Sequence, residues 1–81
     1  MQRLLGKVIL QQTACVLKYY LSGSRRSGYS VVIVQEKQNQ IFYSKCENLT
    51  NSIEGAKRFC YKLIRGVVFP EQLQEIVEDH M

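Results

Sequence analysis

Two hydrophobic periods succeed one another along this chain. As far as Cys46 the apolar residues tend to alternate with polar ones, and beyond Thr50 they recur at intervals of three and four. A period of two belongs to strands half-buried in a sheet, and a period near 3.6 to amphipathic helices. The segment from about Val8 to Leu21 is β-rich, with Cys15, Leu17, Tyr19 and Leu21 on one face and Val16, Lys18, Tyr20 and Ser22 on the other. Gln11-Gln12-Thr13 either bends this segment or divides it into two strands. Ser22 to Gly28 is polar and glycine-bounded, and is expected to be a flexible loop. Tyr29 to Glu36 is the clearest strand, because Tyr-Ser-Val-Val-Ile-Val is β-branched and has no helical period. A tight turn at Gln38-Asn39 leads to Gln40–Cys46, where Ile41 and Tyr43 alternate with Phe42 and Ser44, and the pair reads as a hairpin.

The helical half begins at Thr50-Asn51-Ser52. Asn51 with Glu54 three residues later fits a capping box, whose side chains satisfy unpaired N–H groups of the first turn. Ile53, Ala56, Cys60, Leu63, Ile64 and Val67 then form one apolar stripe, and Gly66 is placed to end the helix. Pro70 suits the first position of a second helix, since its missing N–H has no partner to lose there. Leu73, Ile76 and Val77 are that helix's apolar stripe. The expected fold is α+β: a small antiparallel sheet of three to four strands packed on one face by two C-terminal helices, in a single domain over residues 1–81.

Such a fold leaves one sheet face without a helix. In the strand Tyr29–Val34 apolar residues occupy both faces, Tyr29, Val31 and Ile33 on one and Val32 and Val34 on the other. An exposed apolar face marks an interface, so the strand points to a homodimer pairing sheet faces or edges. The alternative is that residues 1–12 fold over the second face.

Charge divides the chain more sharply than composition does. Residues 1–70 hold all eleven Lys and Arg against three acids, Glu36, Glu47 and Glu54, whereas the last eleven residues hold Glu71, Glu75, Glu78 and Asp79 without a Lys or Arg. The cations include Lys57, Arg58, Lys62 and Arg65 on the polar side of the first helix, with Tyr61 among them, and Arg25-Arg26 in the glycine-bounded loop. This set can follow a phosphate backbone while sheet tyrosines stack on bases, or it can be the solvated face that any helix on a sheet requires. Glu71, Glu75 and Glu78 share one helical face and form a candidate partner surface. Phe69, ahead of Pro70, cannot cap a helix with its side chain and is expected either between the helices or exposed as an anchor.

The sequence argues against a reaction. Eighty-one residues supply one two-layer core and too little apolar material for a deep dry pocket as well. Cys15, Cys46 and Cys60 are odd in number and include no C-x-x-C pair, which speaks for buried reduced thiols and against disulfides or structural zinc. A Cys–His nucleophile pair would have to use His80, the single histidine, beside the C-terminus. We therefore expect no enzyme, no catalytic residue, no metal and no cofactor. Gln11-Gln12 interrupts the apolar run Val8-Ile9-Leu10 well short of the ~7–15 residues of a secretory signal, and no run approaches the ~20 of a membrane span. Asn48-Leu49-Thr50 is a formal glycosylation sequon expected to be silent in a cytoplasmic protein.

The series Tyr19-Tyr20-Leu21, Tyr29-Ser30-Val31-Val32-Ile33, Leu49-Thr50 and Val68 to Asp79 resembles a small bacterial, Firmicutes-type family of uncharacterised proteins. Members have a Tyr-Gly-Ile-type strand and end in a helix that begins Ser/Thr-Pro-x-His-Leu and continues into Val-Val-Glu-Asp. The resemblance covers roughly residues 15–81 and is most specific at Pro70, Leu73, Val77, Glu78 and Asp79. It departs at Ser30 (Gly in the family), Phe69 (a hydroxyl residue) and Gln72 (His). It implies strands followed by two helices and a bacterial cytoplasmic setting, and it implies no activity. The functional expectation is a non-catalytic protein–protein interaction or assembly module, with itself or another protein as partner and no membrane. The alternative is a weak, sequence-nonspecific nucleic-acid binder.

Overall fold

The computed structural model describes residues 2–80, without the His80 side chain. Four antiparallel strands, β1 (Gln2–Leu10), β2 (Cys15–Ser24), β3 (Gly28–Lys37) and β4 (Gln40–Thr50), form one sheet in the order β1-β2-β3-β4. Helices α1 (Ile53–Arg65) and α2 (Leu73–His80) follow, α2 entered through a 3₁₀ turn at Pro70–Gln72. The fold is α+β, with strands first and both helices on one side.

The alternation in β2 and β3 decides which side that is. Cys15, Leu17, Tyr19 and Leu21 of β2 and Val31 and Ile33 of β3 are at most 1% exposed, while Val16, Lys18, Tyr20, Val32 and Val34 between them are half-buried. They meet Ala56, Phe59, Cys60 and Leu63 of α1 and Leu73 and Val77 of α2 in one core. Helix α1 lies over β1, β2 and β3, and the 3₁₀ turn with α2 lies over β3 and β4. Gly6 of β1 lies directly under α1, where a Cβ would stand 2.5 Å from Cδ1 at the end of the Ile64 side chain, which would have to turn aside. Tyr19 ties the sheet to the connection between the helices: its buried hydroxyl donates to the Val68 carbonyl at 3.0 Å.

Several local expectations need correction. Residues 11–13 divide the first β-rich segment, as a 3₁₀ turn closed by left-handed Ala14 (φ 51°), and the strand before it starts at Gln2 rather than Val8. Residues 2–10 therefore extend the sheet as an edge strand and do not fold over its second face, because pairing with β2 satisfies the backbone groups on their inner side. The flexible loop expected over Ser22–Gly28 shrinks to a turn at residues 25–27, because Ser22, Gly23 and Ser24 continue the ladder against Ser30, Tyr29 and Gly28. The cap of α1 is Ser52, whose hydroxyl accepts from the Gly55 N–H at 3.1 Å. Asn51 is drawn away because its amide donates to the Arg25 carbonyl at 2.8 Å. The buried stripe of α1 also includes Phe59, 2% exposed. Gly66 ends α1 in a right-handed conformation, and the left-handed residue after it is Val67 (φ 50°). Phe69 is half-buried against the core, and the Gln72 side-chain carbonyl accepts from its N–H at 3.0 Å, the half of a capping box that needs no polar side chain at Phe69.

The β3–β4 turn has the backbone its hairpin requires. Gln38 and Asn39 both take positive φ, 50° and 66°, the mark of a two-residue turn whose twist matches the strands. At the other end of β4 the register shifts between Tyr29 and Val31, and left-handed Asn48 (φ 52°) donates its N–H to the Ser30 hydroxyl.

Candidate interaction surfaces

The predicted basic residues fall on the helix layer. Arg58, Tyr61, Lys62 and Arg65 are exposed on the outer side of α1, and Lys57 is half-buried beside them. Arg25 and Arg26 are exposed in the β2–β3 turn, and the Asn51–Arg25 hydrogen bond fastens that turn to the start of α1. The cations thus run the length of the helix, about 18 Å at 1.5 Å per residue. The aromatic half of the nucleic-acid arrangement lies elsewhere. Tyr19 and Tyr29 are buried, while Tyr20 and Tyr43 are on the sheet face opposite the helices, so only Tyr61 shares a surface with these cations.

Where the two signs of charge meet there is a cleft. Lys62 and Arg65 at the end of α1 face Asp79 of α2 across a floor of Leu63, Val68 and Ile76, with a volume of about 470 Å³. Of the acidic set only Asp79 lines it, and Glu71, Glu75 and Glu78 are exposed on α2 and its entry turn. Among the described residues the ion pairs are Lys18–Glu36 (2.9 Å) and Lys45–Glu47 (3.3 Å), both on the sheet, so the acidic helix does not close on the basic one through an ion pair.

The uncovered face of the sheet is the most apolar exposed surface. Register places Leu4, Tyr20, Val32 and Lys45 in one row across the strands, Lys7, Lys18, Val34 and Tyr43 in the next, and Ile9, Val16, Glu36 and Ile41 in a third. Leu4, Ile9, Ile41 and Tyr43 are 48%, 58%, 69% and 71% exposed. Phe42, on the helix side of the same edge strand and 50% exposed, borders Pro70 and Glu71. The Lys18–Glu36 pair lies inside this surface, and its hydrogen bond and charge hold the lysine above its ordinary pKa. Lys45 is paired with Glu47 in turn, which leaves Lys7 as the one cation of these rows outside an ion pair among the described residues, so the face is close to neutral. The half-apolar pattern of β3 pointed to this surface. Leu4 and Ile9 escaped sequence reading because nothing in their own segment shows which way it folds.

The thiols are placed for packing. Cys15 and Cys60 are buried and Cys46 is half-buried, all unbonded. Burial pushes the Cys60 thiol up to about 11 and raises that of Cys46, which disfavours the nucleophilic thiolate. A Cys–His pair would need the His80 side chain, which lies outside the described residues. Among the described residues no group of three or more His, Cys, Asp or Glu is arranged to hold a metal ion, and no helix is long and apolar enough to cross a membrane.

The model of a family of unknown function, DUF6514, matches residues 3–81, and the chain belongs to that family. No curated protein and no solved structure matches it.

Proposed function

We propose that this member of a family of unknown function is a non-catalytic assembly module that associates with itself through its sheet. One observation carries the reading. Among the described residues, five of the six exposed large hydrophobic side chains, Leu4, Ile9, Ile41, Phe42 and Tyr43, belong to the two edge strands. Leu4, Ile9, Ile41 and Tyr43 lie on the uncovered face and Phe42 on the helix side, and exposed apolar side chains concentrated on sheet edges are the usual mark of an interface. The near-neutral charge of the face lets two copies approach without strong repulsion, which a surface built for a polyanion does not need. Nucleic-acid binding is the weaker reading, because single-strand binders interleave aromatic and cationic side chains in one groove, and here Tyr20 and Tyr43 are a layer away from Arg58, Lys62 and Arg65. The family resemblance and the three free thiols support a reducing bacterial cytoplasm as the setting. Sedimentation equilibrium tests the proposal: it expects a species of twice 9.4 kDa that dissociates on dilution. A monomer across the accessible concentration range refutes it.

A further inference from the structure

The two edges of the sheet are not equivalent. Strand β1 has a register shift between Leu4 and Gly6 and carries Arg3 and Lys7, features that discourage strand addition. Strand β4 has no such protection over Gln40–Ser44: the segment has no charge, no proline and no glycine, and it runs in unbroken register against Lys37–Ile33. Its central residues Ile41, Phe42 and Tyr43 are all exposed, on both faces of the strand. Nothing pairs with its outer side among the described residues.

The turn shows which backbone groups are free. A two-residue turn closes on a hydrogen-bonded pair, here Lys37 and Gln40, and hydrogen-bonded pairs then alternate with non-bonded ones along the ladder. Ile41 (opposite Glu36) and Tyr43 (opposite Val34) are in non-bonded pairs, so their N–H and C=O groups point away from β3.

On the reading above, we propose that a second copy of this chain adds its β4 antiparallel to this edge, making one continuous eight-stranded sheet about a two-fold axis at Phe42. Two constraints select the register. The outward groups belong to alternate residues, so Ile41 has to bond a residue that also points outward, and a slip of one residue fails. A slip of two bonds properly but in one direction sets Lys45 of the partner subunit against Ile41, and in the other sets the turn residue Asn39 of the partner subunit against Tyr43. Pairing about Phe42 sets Ile41 against Tyr43 of the partner subunit, twice by symmetry, with Phe42 opposite Phe42 of the partner subunit on the helix side. Only the neutral Gln40 and Ser44 flank these pairs. Aromatic and β-branched pairs directly across a ladder are among the favourable ones, and a two-fold axis requires this self-complementarity. An unrelated strand offers no reason for the triplet to be apolar on both faces.

The test is amide hydrogen exchange at high and low protein concentration, alongside sedimentation mass. The proposal expects the Ile41 and Tyr43 amides to exchange slowly in the dimer and fast on dilution. Tyr43→Pro removes an outward donor without touching the β3–β4 ladder, and edge strands accept proline at such positions. It is expected to give a folded monomer, as is Ile41→Lys, which decides the matter if the proline variant fails to fold. Ile9→Lys, on the far edge, keeps the dimer. A dimer whose Ile41 and Tyr43 amides exchange equally fast at both concentrations, or one that survives Ile41→Lys, overturns the edge pairing and leaves self-association standing. A monomeric wild type overturns both.

Discussion

Replacing Tyr19 by Phe removes one atom from the point where the sheet holds the interhelical connection. The Tyr19 ring is 0% exposed, Val68 is 8% exposed, and the hydroxyl donates to the Val68 carbonyl at 3.0 Å. The substitution leaves ring packing in place, so hydrophobic burial is nearly unchanged. What is lost is a buried hydrogen bond, with the carbonyl left unpaired, at a cost of about 1–3 kcal/mol. For a domain of this size that lowers Tm by roughly 5–20 °C. Urea unfolding followed by circular dichroism should show a lower midpoint with an unchanged slope. Tyr20→Phe, half-buried on the uncovered face, is the control and should change little. The pH dependence gives a second test. Burial pushes the Tyr19 hydroxyl from 10.0 up to about 12 and the Cys60 thiol from 9.0 up to about 11. The folded state therefore holds both protons more tightly than the unfolded chain does. The stability this contributes is whole below pH 9 and is lost as pH rises, from 9 to 11 for Cys60 and from 10 to 12 for Tyr19. Tyr19→Phe keeps the first loss and lacks the second, so the gap between variant and wild type should narrow above pH 10. A variant within about 0.5 kcal/mol of wild type at neutral pH, the range of an inconsequential surface change, refutes the reasoning.

Two further outcomes follow from the helix layer. Ser52→Ala should destabilise by about 0.5–2 kcal/mol through loss of the α1 cap, whereas Asn51→Ala should cost less and instead loosen the Arg25–Arg26 turn, read as faster amide exchange there. In a salt titration with single- and double-stranded oligonucleotides, the separation of tyrosines from the α1 cations predicts no tight binding even at ~50 mM salt. Affinity that falls steeply with salt and disappears in the Arg58→Glu, Lys62→Glu double variant reverses that conclusion.

The sequence made the architecture readable because the two hydrophobic periods do not overlap. Leu17, Tyr19, Val31 and Ile33 alternate cleanly, Ala56, Cys60 and Leu63 recur helically, and all are buried where the pattern puts them. The misreadings share a cause: each depends on a choice among equivalent local options that tertiary structure makes. Asn51 and Ser52 both suit a cap, and the nearby Arg25 carbonyl, 26 residues away in sequence, decides between them. Residues 2–10 could cover a face or extend an edge, and Gly6 shows its role only once Ile64 is above it. The uncovered face was half readable, from Val32 and Val34, while its most exposed members, Ile41 and Tyr43, look like ordinary strand residues until β4 proves to be an edge. The cleft between Lys62, Arg65 and Asp79 joins segments that sequence shows only as opposite charges.

Tyrosine footprinting across a dilution series tests the central claim, that helices seal one side of the sheet and a second copy takes the exposed β4 edge. The account predicts no labelling of Tyr19 and Tyr29 at any concentration, constant labelling of Tyr61, and labelling of Tyr43 that fades as concentration rises. Strong modification of Tyr19 contradicts the sealed side, and a Tyr43 signal independent of concentration contradicts the paired edge.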